Sequence, residues 1–582
     1  MPATTRQPNF ALLLGLAWLL AAFQLLAQNW TETALALADT DDAMRLAQLR
    51  DWLGGQGWYD LHQGRVAGGY ESHWSRLIDA GLAATLWAFG WFTEPAMAER
   101  LMRTVWPMLW LLPVMAGAAA IAWRIAGREA ALIALLLAAI GLPAFHQFRP
   151  GRIDHHNVQI ALSVLAVAAT VWSDRVRWAA VAAGAVTGLA MAIGLECLPY
   201  LMVCAAAFAA RYVLDANGAR AAADYGLALA ASSLAGFFVI VGPDHWTRGV
   251  CDEIAINWIA LTVIGGGGLA LAAKFASERM SVRGACVLLV GAAATALFLA
   301  IEPRCLRGPY AMMDPAVWPI WLAHVREMKP LIPLMLESPL TGIAIATFPF
   351  AALVAAFVLA RSRELRTDFG FLVATAAFLM AAVTTLAAIK SASYATWLAM
   401  PLVACFALLL FKLLRLQSLV PRAAVGVLLT PAVLSLGAIT IANAAGLGAH
   451  DSFNRTESNA CFKTESYAAL ARLPRGLIAT DIDYGPFLLA LTPHSVLAAP
   501  YHRLSEAIIT AHRALSSPPD DARRVLALTH AQYVATCGAR SLADLSVAER
   551  DASLWGRLQA GAVPDWLEPL PVAGPFAVYR VK

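Results

Sequence analysis

Nine consecutive residues, Arg149-Pro-Gly-Arg152-Ile-Asp154-His155-His156-Asn157, carry two guanidinium groups, a carboxylate, two imidazoles and an amide. They separate two apolar runs, residues 130–145 and 158–171. Ionisable groups at the mouth of a bilayer are costly to keep dry, so they mark a functional site or a water-facing rim. Two other stretches offer related chemistry: Asp39-Thr-Asp41-Asp42-Ala-Met-Arg45 and Leu334-Met-Leu-Glu337. Carboxylates collected from several loops are a normal oxygen cage for a hard divalent cation, Mg2+ or Mn2+. A cation held there would suit a phosphate or pyrophosphate leaving group. His155 and His156 offer further ligands or phosphate contacts. Each acid also has a plain structural use. Asp39 can cap a helix, Asp42 can pair with Arg45, and Asp154 can pair with Arg149 or Arg152. Lys390, followed by Ser-Ala-Ser-Tyr394, ends an apolar run. Its ammonium can hold a lipid phosphate or snorkel to the interface.

The elements that must position these groups are read from composition. The chain has 582 residues, 59% hydrophobic and only 14% charged, with a mean hydropathy of +0.62. Soluble domains carry roughly 25% charged residues, so this is a polytopic membrane protein. The net charge of +4 gives no sign of nucleic-acid binding. About 13 spans satisfy the hydropathy criterion. They are residues 10–27, 101–123, 130–145, 158–171, 179–193, 198–212, 225–241, 258–273, 284–301, 340–359, 369–388, 395–411 and 420–442. Residues 77–92, with Asp79 inside, are too short for a span and read as interfacial or re-entrant. Arginines and lysines fall in alternate short connections, for example Arg124/Arg128, Arg175/Arg177 and Arg361/Arg363/Arg366. The positive-inside rule makes that side and the N-terminus cytoplasmic. Asp39, Asp154 and Glu337 then share the outer face, on the loops 29–100, 146–157 and 302–339.

From residue 446 polar residues and prolines alternate with short apolar stretches. Strands are expected at 476–482, 495–499, 533–536 and 576–581, and helices at 465–473, 504–514 and 519–528. The alternation predicts an extracytoplasmic α/β domain, 446–582, after a membrane domain, 1–445. Of eight cysteines, Cys251, Cys305, Cys461 and Cys537 fall in outer polar segments. Two disulfides fit there, Cys251–Cys305 and Cys461–Cys537 being one pairing, which sequence alone does not fix.

Order and spacing resemble the catalytic subunit of the oligosaccharyltransferases, in the glycosyltransferase-C membrane fold. Asp39 and Arg45 match the first and last positions of that family's D-P-Y-Y-x-x-R motif. Gly151-Arg-Ile-Asp154 matches its second outer motif. Glu337 stands where a glutamate precedes the next span. Lys390, Tyr394 and Pro401 match a basic residue, a Tyr and a Pro near a late span. Asp483-Tyr484-Gly485 keeps the last three residues of W-W-D-Y-G. His156 stands where the family often has another acid, Lys390 replaces an arginine, and both tryptophans are absent.

The resemblance implies a metal-assisted, inverting glycosyltransferase of a bacterial inner membrane, with the C-terminal domain periplasmic. It would move a sugar or oligosaccharide from a polyprenyl-phosphate or polyprenyl-pyrophosphate donor to a protein, lipid or glycan acceptor. Asp39, Asp154 and Glu337 would be catalytic and hold the cation, with His155 and His156. Lys390 and Tyr394, with Arg149 or Arg152, would serve the donor. Asp483, Tyr484, Gly485, His502 and Arg503 would line the acceptor side. The missing tryptophans leave sequon recognition open. A transporter or flippase of a lipid-linked anion is the alternative from another class, with Glu196 as its one suitable acid, although transport sites tend to lie near the midplane. A non-catalytic binder of lipid-linked sugar is a third reading.

Overall fold

A computed structural model of the chain describes residues 9–275, 277–450, 459–538, 542 and 544–582. Part of the expected outer domain, 451–458, lies outside the described residues. The protein is a helical membrane protein with a sheet-containing C-terminal part. Helices occupy all thirteen apolar segments read from the sequence. Among the described residues, eight are long and apolar enough to cross a membrane, or ten if two bent pairs each count as one span. The three others are the shorter helices His156–Trp172, Trp178–Ile193 and Leu198–Leu214. One bent pair, Leu419–Leu428 with Pro431–Ala444, turns by 58°. Pro431 lacks the amide a continuous helix would use there. The other, Arg128–Ala139 with Leu142–Phe148, turns by 70° and delivers the chain to the Asp154 loop.

Helix contacts in lipid rely on small residues that let backbones approach. Helix Ala219–Ile240 packs on both Trp178–Ile193 and Ile256–Lys274. Where it crosses the latter, Gly226 and Gly266 face each other. A Cβ on Gly226 would lie 2.2 Å from the Gly266 carbonyl oxygen, and one on Gly266 2.4 Å from that of Gly226. On the arginine-rich face, Arg124 donates to Asp174 and, at 3.0 Å, to Asp368, so three helices share one buried guanidinium.

The region after the first apolar helix holds helix Thr40–Leu53, a small antiparallel pair, His62–Gln63 with Tyr70–Glu71, and helix Arg76–Gly90. This last helix buries Arg76 and Asp79 in its first turn and exposes Trp87 near its other end, with Trp91 and Phe92 just beyond. That aromatic end fits the interfacial placement expected for 77–92. In the C-terminal part five strands run in the order Ser495–Val496, Leu477–Ala479, Tyr533–Cys537, Phe576–Val581, Leu567–Leu570. The first three are parallel and the last two antiparallel to their neighbours. Helices Ser505–Ser516 and Pro519–Thr529 match expectation. The expected helix 465–473 is instead two 3-10 turns, Thr464–Tyr467 and Leu470–Arg472. The strand Leu567–Leu570 and the helix Gly485–Leu491 were not expected. Cys251–Cys305 and Cys461–Cys537 both form disulfides.

The glycine crossing yields a direct test. Gly266→Leu is expected to cut the yield of monodisperse protein in detergent severalfold, because the backbones must separate. Gly267→Leu, whose Cβ meets nothing within 4 Å, should leave size-exclusion profile and yield near wild type.

Candidate active site

Asp39 is the N-cap of helix Thr40–Leu53, with extended backbone. The acid-rich start of this helix docks on the loop that follows Leu142–Phe148. Arg152 is the fastener. Its Nη1 donates to Asp39 Oδ2 at 2.7 Å and lies 2.9 Å from Asp42 Oδ2, while Nε donates to Gln147 at 3.1 Å. Asp42 Oδ1 accepts the backbone amides of Ile153 and Asp154 at 2.7 and 3.0 Å. Gly151 makes the turn possible: its φ is +101° and its amide donates to the Arg103 carbonyl at 2.9 Å. Buried charges persist only when paired and hydrogen-bonded in this way.

Beyond this junction Asp154 is buried, its side chain 1% exposed. Its Oδ1 is 2.5 Å from His155 Nδ1 and 3.6 Å from Arg45 Nη2, and its Oδ2 is 3.0 Å from His156 Nε2. Among the described residues that Oδ2 nevertheless finds no hydrogen-bond partner. Arg45 is held by Asp79 at 3.2 Å and lies over the Trp74 ring; Asp79 in turn accepts from Arg76 at 3.0 Å. On the other side, Glu196 Oε1 accepts from His156 Nδ1 at 2.8 Å and from the Tyr394 hydroxyl at 2.7 Å. Lys390 Nζ is 3.1 Å from Glu196 Oε2. One carboxylate thus gathers the histidine, the tyrosine and the lysine.

The site borders a cavity of about 1440 Å³. Asp39, Asp41, Arg149, Arg152, Glu327 and Lys390 line its charged wall. Thr341, Phe348, Ser393 and Ser435 line it among the membrane helices, and Asp481, Asp483, His512 and Asp544 from the C-terminal part. Asp154 and its two histidines are not in the lining. They are near enough to Asp41 for their charges to act on it: burial pushes the Asp41 carboxyl well above the usual range, Asp154, Asp39 and Glu327 push it further, and His156 opposes them. Burial also raises Asp42, to about 7, against the pull of Arg152. Asp154 goes the other way. Burial favours its protonation, yet His155 and His156 hold it well below the usual range. Carboxylates that raise one another are what a divalent cation discharges. Asp154 Oδ2, which meets His156 Nε2 at 3.0 Å without a hydrogen bond, the adjacent imidazoles and Asp41 therefore fit such an ion. Donor atoms of Asp154, His155 and His156 lie within 4.8 Å of one another.

No protein-family model and no curated protein matches the chain. Solved structures do. The archaeal oligosaccharyltransferase AglB of Archaeoglobus fulgidus, in complex with an inhibitory peptide and a dolichol-phosphate, aligns with TM-score 0.70 and 13% identity over 96% of this chain and 78% of that one. The apo form of the Archaeoglobus fulgidus oligosaccharyltransferase gives 0.71 and 13%, over 96% and 79%. Its complex with Zn and sulfate gives 0.63 and 12%, over 96% and 78%. The chain has the oligosaccharyltransferase fold.

Within this oligosaccharyltransferase fold the expected residues separate into two groups. Asp39, Asp154, His155, His156, Arg149, Arg152, Lys390 and Tyr394 gather at or beside the charged wall, and Asp483 lies across the cavity. Glu337 does not join them. It ends helix Leu331–Glu337, meets Lys329 Nζ at 2.5 Å and is 51% exposed. Glu327, ten residues earlier, lines the cavity instead. Tyr484 and Gly485 are core residues, not lining. The Tyr484 hydroxyl donates to the Cys537 carbonyl at 3.1 Å, and a Cβ on Gly485 would lie 2.3 Å from the Ala498 carbonyl oxygen. His502 and Arg503 also leave the acceptor side, because both are spent on Asp252.

Glu196 and Glu327 were the residues missed as site members. Glu196 had a signal, being a lone acid between two apolar runs. Glu327 had none, since helical pieces without periodicity give no orientation.

Asp42 sets a pH test. A carboxyl raised in the folded state keeps its proton after the unfolded chain has released it. Between about pH 4 and about 7 the folded protein binds more protons, so stability falls as pH rises. Wild-type Tm should fall by several degrees from pH 5 to pH 8, and Asp42→Asn, which keeps an acceptor for the two amides, should show a smaller fall. Equal slopes in a pH series of thermal melts would refute this.

Proposed function

We propose that this protein is a membrane glycosyltransferase that moves a sugar or oligosaccharide from a polyprenyl-phosphate or polyprenyl-pyrophosphate donor to an acceptor outside the cytoplasm. The observation that carries this reading is the position of Lys390. It lies on a cavity that reaches the membrane helices on one side and the C-terminal part on the other, and it is joined through Glu196 and His156 to Asp154. A lipid-linked phosphate entering between the helices would bring its head to Lys390 and Arg149. The acceptor would enter past Asp481 and Asp483. The fold is that of enzymes whose solved complexes hold a dolichol-phosphate and a peptide, which supports a lipid-linked donor here. The setting proposed is a bacterial inner membrane, with the arginine-rich face cytoplasmic and the sheet periplasmic.

Transfer with inversion requires an acceptor atom to attack the sugar's anomeric carbon as the carbon–oxygen bond to phosphate breaks. The leaving phosphate gains charge, and Lys390 meets that charge with a fixed ammonium. A divalent cation, Mg2+ or Mn2+, held by Asp154 and Asp41 with His156 would supply Lewis-acid stabilisation of the same phosphate. Asp39, half of whose side chain is exposed to the cavity while Arg152 grips the other half, orients that cluster. Glu327, on the cavity wall, would accept the proton or a hydrogen bond from the attacking group. Glu196 holds His156 by Nδ1, which turns Nε2 toward Asp154; a carboxylate behind a histidine ligand orients it in this way. The acceptor wall, without the two tryptophans, sets Asp481, Asp483 and Asp544 among apolar side chains such as Phe487 and Ile508, which suits a hydroxyl-bearing glycan or lipid as well as a protein.

The test is turnover of a polyprenyl-linked sugar by purified protein with and without Mg2+ or Mn2+. Asp154→Asn and Glu327→Gln are expected to lose at least about a hundredfold in kcat/KM, about 2.7 kcal/mol of transition-state stabilisation, whereas Glu337→Gln should stay within a few fold. Full activity in Asp154→Asn would remove the proposed centre. Glu196→Gln should weaken activation by the cation, raising the concentration needed by about tenfold while folding is kept. An unchanged cation dependence would show that His156 is not oriented through Glu196.

A further inference from the structure

Three segments that the proposed reaction does not use converge beside the outer loops. His73 lies between Tyr70–Glu71 and helix Arg76–Gly90. Asp252 lies between helices Ala219–Ile240 and Ile256–Lys274, next to Cys251 and its disulfide to Cys305. His502 follows the strand Ser495–Val496 in the C-terminal part. His502 Nε2 is 2.7 Å from Asp252 Oδ2, the His73 and His502 rings are 4.8 Å apart at 59°, and one donor atom from each of the three residues lies within 4.8 Å of the others. The Nδ1 of His73 is buried and finds no hydrogen-bond partner among the described residues. A buried imidazole nitrogen without a partner, on a ring beside a second imidazole and a carboxylate, is an arrangement that gains when a cation joins it.

We infer that His73, Asp252 and His502 form a second metal site, of the two-imidazole, one-carboxylate type that suits Zn2+, and that it clamps the C-terminal part to two outer loops. The donor set is nitrogen-rich, unlike an all-oxygen magnesium or calcium cage. Local charge agrees. Arg503 donates to both Asp252 oxygens at 2.7 and 2.8 Å and also meets Glu253 at 2.9 Å, so one guanidinium is shared between two acids. Asp252 Oδ1 takes one hydrogen bond, from Arg503, and keeps a second lone pair for a metal, while Oδ2 takes His502 and Arg503 together. The disulfide at Cys251 limits the motion of the Asp252 loop, so the clamp closes when the C-terminal part brings in His502. This inference does not rest on the proposed reaction, since none of its three residues lines the cavity.

The experiment is zinc stoichiometry and thermal stability of the full-length protein in detergent, after chelation and re-addition of Zn2+ alone. Wild type should bind one zinc per chain more than His73→Ala. The same difference should persist when both also carry Asp154→Asn, which separates this site from the proposed active centre. In the Asp154→Asn background, chelation should lower the Tm by several degrees when His73 is present and leave that of the double variant with His73→Ala unmoved. If His73→Ala does not fold, His73→Cys decides the matter: loaded with Co2+ it should show a thiolate-to-cobalt absorption band absent from cobalt-loaded wild type. Equal zinc content in wild type and His73→Ala, or no such band in folded His73→Cys, overturns the clamp and leaves a plain ion-pair contact.

Discussion

Arg152 holds the site together. Its guanidinium stands between Asp39 and Asp42, while Asp42 reaches past it to the amides of Ile153 and Asp154. Two outer loops more than a hundred residues apart are thereby locked by one buried cluster of charge. A charge taken out of water must recover its hydration from fixed partners, so this cluster tolerates little displacement. With the lock in place, the turn of backbone after Gly151 delivers Asp154 to Arg45 and to its two histidines, and leaves Asp41 facing the cavity.

Glu196 makes the second connection, from the loops to the membrane helices. It lies in the short connection between Trp178–Ile193 and Leu198–Leu214, and its two oxygens take His156, Tyr394 and Lys390. Burial alone would favour its protonated form, but His156 and Lys390 keep it ionised. The phosphate-binding lysine of the proposed reaction is therefore positioned by the same carboxylate that orients the histidine beside Asp154. A change at either end is felt at the other, which gives the site one coupled electrostatic unit rather than separate donor and cation subsites.

Much of the fold was legible because lipid imposes a simple code. A backbone crossing hydrocarbon must satisfy its own hydrogen bonds, so long apolar runs become helices wherever they occur, and all thirteen did. The cysteines in polar outer segments paired as the segments allowed. Legibility faded where local pattern is weak. The region 465–473 has helical composition but folds as two 3-10 turns under Tyr467 and Leu470, both of which are buried in the core. Glu337 looked correct by its place before a span, yet the short helix that ends there turns it to Lys329 and solvent. His502 and Arg503 were drawn away by Asp252, a residue whose own loop carried no motif.

The sequence by itself determined the membrane class, that the acids collect on one face, and the identity of Asp39, Asp154, His156 and Lys390 as groups with chemistry to offer. Those features depend on apolar length, charge bias and residue type, all of which are local. Tertiary structure decided which acids share a wall, that Glu327 rather than Glu337 reaches it, and that Glu196 ties lysine to histidine. The reason is physical: partners of buried charges are selected by packing between segments far apart in the chain, and that geometry has no local signature.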